Sequence, residues 1–218
     1  MAGTALNQIA DDIARNARIA RRKPEDVTLI AISKTKTADE IEPLLEECHR
    51  VFGENRVQEA QAKWPDLKAR YPDVKLHLVG QLQSNKADDA VALFDAIHSL
   101  DRSSLVKALA KAFEKAGRTV PCFVQVNIGD EDQKGGCAIA DLPALLAEAR
   151  EAGIPVEGLM CVPPADVEAA PYFALLAKLA AEHGLSGLSM GMSGDFETAI
   201  MLGATHVRIG TALFGARD

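Results

Sequence analysis

The chain reads as an α/β protein: a single (β/α)8 barrel of the TIM type spanning residues 1–218, with an extra helix at its N-terminus. Three observations predict this. Eight short apolar runs, at residues 27–33, 50–53, 75–80, 96–100, 121–127, 156–160, 187–190 and 206–209, have the length and composition of strands. The stretches between them are rich in Ala, Leu and Glu at helical spacing. No composition break, linker or low-complexity tract leaves residues for a second domain. Strand and helix in alternation imply parallel strands joined by crossovers, and a spacing of roughly 25 residues per unit fits a closed barrel near its lower size limit. An open doubly wound sheet is the alternative.

The elements follow in order. Ile9, Ile13, Ala17 and Ala20 form an apolar stripe beside Arg15, Arg18, Arg21 and Arg22, an amphipathic helix that stops before Pro24. Asp11 and Asp12 argue against a transit peptide, which is acid-poor. The first strand, Leu29-Ile30-Ala31-Ile32-Ser33, leads to Lys34, and the second leads to Glu54 and Asn55. The third holds His77 and reaches Gly80-Gln81, and the fourth ends before Asp101-Arg102. Leu105, Leu109, Ala112 and Phe113 mark the next helix, and Leu142, Leu145, Leu146 and Ala149 another, on either side of the strand that ends at Asn127. The sixth strand ends at Met160, the seventh opens Ser189-Met190-Gly191-Met192-Ser193-Gly194, and the eighth carries Arg208 toward Gly210-Thr211.

Composition narrows the function. Lys and Arg number 24 against 31 Asp and Glu, a net charge of −7 that argues against a nucleic-acid or anionic-membrane surface. No apolar run approaches the roughly 18 residues that cross a bilayer. Cys48, Cys122, Cys137 and Cys161 lie far apart without metal-ligand spacing, so we expect buried free thiols in the cytoplasm and no metal site. With no second domain, a monomer is expected.

Chemistry in a barrel gathers where strands end at the C-terminal face. Lys34 ends the first strand there, with Lys36 two residues on. A lysine among apolar walls and near a second cation can serve as an amine that attacks an aldehyde, although a strand-end lysine more often snorkels to water. The glycines after strands seven and eight let backbone N–H groups converge on an anion, with Ser193 and Thr211 adding hydroxyls. Turn formation and helix capping by Ser193 are the plainer readings, and Asp195 and Glu197 would repel an anion unless they point away. Arg208 alternates with Gly210 to face the barrel mouth and needs an acceptor: a phosphate, a ring nitrogen or an internal salt bridge. Asn55 could orient a ligand, whereas His77, Phe52 and Met160 read as core.

Taken together, Ser33-Lys34-Thr35-Lys36, Phe52-Gly53-Glu54-Asn55, His77-Leu78-Val79-Gly80-Gln81, Leu188 to Ser193 and Val207 to Thr211 resemble, in order and over nearly the whole chain, the pyridoxal phosphate homeostasis protein family. The resemblance implies the barrel of alanine racemase N-terminal domains, termed fold type III among proteins that use pyridoxal 5′-phosphate (PLP). It implies PLP held as a reversible Schiff base on Lys34, phosphate held by Ser193, Gly210 and Thr211, and Arg208 facing the pyridine nitrogen; Gly194, in the same loop as Ser193, is expected to add a backbone donor to the phosphate site. It also associates Lys134 with a secondary contact, though Gly135-Gly136-Cys137 departs from the family pattern, and Arg56 stands where a tyrosine is usual. The implied role is PLP homeostasis without efficient catalysis, with PLP-accepting apo-enzymes as partners. The alternatives are a racemase, which needs a second acid/base such as a tyrosine, and a Schiff-base aldolase. Tyr71 and Tyr172 fall between strands and do not suit the racemase role.

Overall fold

The computed structural model describes residues 4–215. Eight strands, β1 (Thr28–Ile32), β2 (Val51–Glu54), β3 (Lys75–Leu78), β4 (Ala96–Leu100), β5 (Cys122–Gln125), β6 (Val156–Met160), β7 (Gly187–Met192) and β8 (His206–Ile209), form a closed barrel. Every pairing is parallel, and the seam closes with Thr28 opposite His206 and Ile30 opposite Arg208. This rules out the open sheet. Helix α1 (Ala5–Ile19) precedes the barrel, and Thr4 caps it by accepting the Asn7 N–H. Its apolar stripe buries Ile9, Ile13 and Ala17.

The crossovers are α2 (Ala38–Glu46), α3 (Val57–Arg70), α4 (Ala87–Leu93), α5 (Ser103–Ala116), α6 (Leu142–Glu151), α7 (Ala170–Glu182) and α8 (Phe196–Met201), and the short α9 (Thr211–Phe214) follows β8. Leu105, Leu109, Ala112 and Phe113 lie on the buried face of α5, as their spacing predicts. The main apolar core lies between strands and helices, where outward-facing Ala31 and Phe52 join Trp64 of α3. Ile30 and Phe123 are also buried but stand apart from that shell, inside the barrel. At Gly53 the barrel is so tight that a Cβ would lie 2.6 Å from Ile32 Cδ1.

Several sequence-based boundaries move. The first, third and fifth runs extend past the paired residues, so Lys34, Gly80 and Asn127 lie in loops beyond β1, β3 and β5. The seventh strand instead continues to Met192, across an irregular register with β8 between Ser189 and Met192. Cys48 is exposed, which corrects the expectation of four buried thiols; Cys122, Cys137 and Cys161 are buried. Among the described residues no helix is long and apolar enough to cross a membrane, and no His, Cys, Asp and Glu cluster could hold a metal.

Candidate functional site

A cavity of about 480 Å³ opens at the C-terminal ends of the strands. Its walls include Lys34, Asn55, Ser193, Gly194, Arg208, Gly210 and Thr211, so the structure brings all seven candidate residues to one place. The apolar part of the wall comes from Ile32, Val79, Val162, Met192 and Phe214. Lys34, Lys36 and Arg208 line it and, among the described residues, no carboxylate does, a local reversal of the charge of an acidic chain.

Lys34 sits in the turn after β1, and its ammonium makes no ion pair or side-chain hydrogen bond among the described residues. Lys36 also lines the cavity, but its ammonium lies 3.0 Å from Glu40. Glu40, held down to about 2 by the Thr37 backbone N–H and by Lys36, remains an anion to pair with it. The two lysines are thus unequal.

The backbone N–H groups of Ser193, Gly194, Gly210 and Thr211 are bonded to no backbone or side-chain acceptor among the described residues. Asp195 does not line the cavity; it accepts the Met192 N–H at 2.6 Å, and Glu197 turns toward Arg15. The two acids therefore point away from the unpaired donors. Ser193 is not a helix cap, since α8 starts after Asp195 without a side-chain cap bond.

Arg208 is buried and makes no salt bridge among the described residues. Its guanidinium donates to Ser189 Oγ at 2.9 Å and to Cys161 O at 2.8 Å, both neutral acceptors, while the side chain still forms cavity wall. Burial pushes its pKa down from the usual arginine value. Ser189 Oγ is also 2.8 Å from His98 Nδ1, and His98 Nε2 is 3.0 Å from His77 Nδ1. Arginine can only donate, so Ser189 Oγ accepts from it, while the donor and acceptor along the two histidine contacts are set by the ring tautomers. Burial pushes His77 down to about 3 and His98 well below the ordinary histidine value, the neighbouring histidines adding to both. These rings are neutral at neutral pH, so the chain beneath Arg208 adds no second charge.

Other sequence candidates lie off the cavity. Lys134 donates to Pro163 O at 2.8 Å and pairs with Glu131, and Asn127 also bonds Glu131. Tyr71 ends α3 with its hydroxyl on Glu42, and Tyr172 lies in α7; neither reaches the cavity. Sequence reasoning missed Val79, Val162 and Phe214, which are ordinary apolar residues until the fold assembles them. It also missed Lys63, a mostly buried lysine under the Lys34 turn.

Comparison with known proteins places the chain in a family. The sequence profile of the alanine racemase N-terminal domain family matches residues 10–218. The pyridoxal phosphate homeostasis protein of Pseudomonas aeruginosa is 40% identical over 219 residues, covering 98% of this chain and 94% of that protein. PipY of Synechococcus elongatus PCC7942, whose structure has been solved with PLP bound, superposes with a TM-score of 0.83 at 39% identity, over 93% of this chain and 100% of that one. Alanine racemase of Clostridium difficile 630 shares the fold, with a TM-score of 0.69 at 15% identity over 96% of this chain and 57% of the racemase. On barrel, motifs and near full-length similarity, the chain belongs to the pyridoxal phosphate homeostasis protein family, within the alanine racemase N-terminal domain fold.

Proposed function

We propose that this chain binds PLP in the cavity at the barrel mouth and acts in PLP homeostasis, with Lys34 as its reversible covalent anchor. The observation that carries the proposal is the conjunction, in one cavity and among the described residues, of an unpaired lysine amine, unpaired backbone N–H donors and no carboxylate. PLP is an aldehyde with a phosphate and a ring nitrogen, and each of these groups has a counterpart in the wall. The volume suits a small ligand.

In this reading Ser193, Gly194, Gly210 and Thr211 hold the phosphate through backbone N–H groups and two hydroxyls, and Lys34 offers its Nζ to the aldehyde carbon. Asn55 and the apolar wall orient the ring. When bound, PLP supplies an electron sink for carbanions whose strength depends on protonation of the ring nitrogen. Arg208, a fixed cation with neutral partners, disfavours that protonation and so restrains carbanion chemistry. Lys34 offers a base on one side, and among the described residues no tyrosine in the cavity wall offers a second. The relatives' naming as homeostasis proteins supports a carrier rather than a racemase. PLP-accepting apo-enzymes are the proposed recipients.

Two measurements test this function. Equilibrium dialysis against PLP and pyridoxal should show clear preference for the phosphorylated form, and equal retention of the two would contradict a phosphate site. Incubation of the loaded protein with L-amino acids should release cofactor without racemised or keto-acid product. Turnover in the usual enzymatic range of roughly 1–10³ s⁻¹ would overturn the carrier reading.

A further inference from the structure

The turn that carries Lys34 has an uncommon shape, held by a partly buried cluster outside the cavity. The Lys36 N–H donates to Ser33 O at 3.1 Å, closing a four-residue turn with Lys34 and Thr35 at its centre. Thr35 lies at φ 63°, the left-handed setting that a type II turn requires at its third position and normally gives to glycine. A β-branched residue stays there only when its surroundings over-determine it.

Those surroundings converge on Lys63 of α3, whose side chain is 9% exposed. Its ammonium donates to Ser33 O at 2.7 Å and to Lys36 O at 2.8 Å, so one group spans both ends of the turn. Glu59, one helical turn earlier, accepts the Thr35 N–H and lies 3.1 Å from Lys63. Glu54, fully buried at the end of β2, accepts from Ser33 Oγ at 2.5 Å and Trp64 Nε1 at 3.0 Å and lies 2.9 Å from Lys63. A Lys–Glu pair this deep gains little stability over apolar packing, so its geometric effect is the informative one. None of these three charged residues lines the cavity.

We propose that Lys63, with Glu54 and Glu59, is a positioning device that holds Thr35 in its left-handed conformation and thereby presents Lys34 to the ligand. The proposal deepens the reading of Lys34 as anchor and rests on it. Lys63 has its hydrogens committed to carbonyls and carboxylates, which excludes it as a competing amine. The device explains why, of three lysines near the strand end, one is left unpaired in the cavity.

The test uses the full chain and three variants. Glu59→Ala removes the acceptor of the Thr35 N–H and leaves the Glu54–Lys63 pair intact. Lys63→Met with Glu54→Gln removes the clamp without stranding a buried charge, and Glu59→Ala decides the matter should that variant not fold. The third, Thr35→Gly combined with Glu59→Ala, supplies a residue that accepts positive φ without strain. In the protein without PLP, amide hydrogen exchange at Thr35 and Lys36 should accelerate about tenfold or more in the clamp variants, while Ile30 in β1 keeps its protection. The rate of PLP capture should fall about tenfold in Glu59→Ala and recover when Thr35→Gly is added. A merely structural role would not be rescued by glycine. Unchanged exchange at Thr35 and Lys36, or slowed capture that glycine does not restore, would overturn the proposal. If borohydride fails to label Lys34 in wild-type protein, the anchor reading fails, while the exchange data still decide whether the clamp exists.

Discussion

Arg208 commits guanidinium hydrogens to Ser189 Oγ and Cys161 O while its side chain forms part of the cavity wall, so its position is set from within the barrel. Ser189→Ala would leave a buried arginine donor and His98 Nδ1 without their shared partner. The expected cost is about 1–3 kcal/mol, read as a lower urea midpoint with an unchanged m-value. Thr211→Val tests the proposed phosphate contacts: loss of one hydroxyl should weaken PLP retention by about 1 kcal/mol, several-fold in affinity, with little change in the stability of the PLP-free protein. Unchanged retention would remove Thr211 from the site. Lys34 and Arg208 were legible in the sequence because strand ends and alternation place them at the mouth. Lys63 was not, because a Glu–Lys pair four apart on a helix reads as a solvated surface pair, and its burial depends on a turn some 30 residues away. Ser189 and His98 are 91 residues apart, beyond any local pattern.

The loops that carry the proposed phosphate donors owe their shape to how β7 and β8 end. Gly191 has φ 94°, and a Cβ there would lie 2.6 Å from Ala199 Cβ of α8. Gly191→Ala therefore meets both backbone strain and a clash, and should cost roughly 1–3 kcal/mol while displacing the Ser193–Gly194 loop. The expected outcome is a lower thermal midpoint together with weakened PLP retention, whereas Gly194→Ala, whose Cβ would meet open space, should be mild in stability. At this scale the strand–helix alternation was fully legible, since period and length follow from local composition. Strand ends were less so: the register between β7 and β8 shifts between Ser189 and Met192, and pairing across such an irregularity is decided by the neighbouring strand.

Across the whole molecule, the barrel encloses three histidines, His77, His98 and His206, with ring centroids 5.1 to 6.0 Å apart. Burial depresses all three, His77 to about 3 and His206 to about 4, Arg208 adding to the latter. For such groups the unfolded chain binds protons first. Their contribution is intact above the unfolded histidine pKa of about 6.5 and is lost as pH falls toward the folded values. By pH 5 the loss is on the order of 2 kcal/mol each for His77 and His206. Urea unfolding at pH 7.5 and pH 5 should show it, and His206→Phe should flatten the dependence. Closure of the barrel was legible from eight repeated units, but the histidine interior was not. Strands that alternate inward and outward reveal which residues face inside only once their register around the barrel is known.

The central claim, that Lys34 anchors PLP, is tested most directly by reducing the PLP-loaded protein with borohydride and mapping the labelled peptide by mass spectrometry. The label is expected on Lys34 alone, with Lys34→Ala losing both the label and the visible absorption band. Label on Lys36, or a band of undiminished intensity in Lys34→Ala, would contradict it.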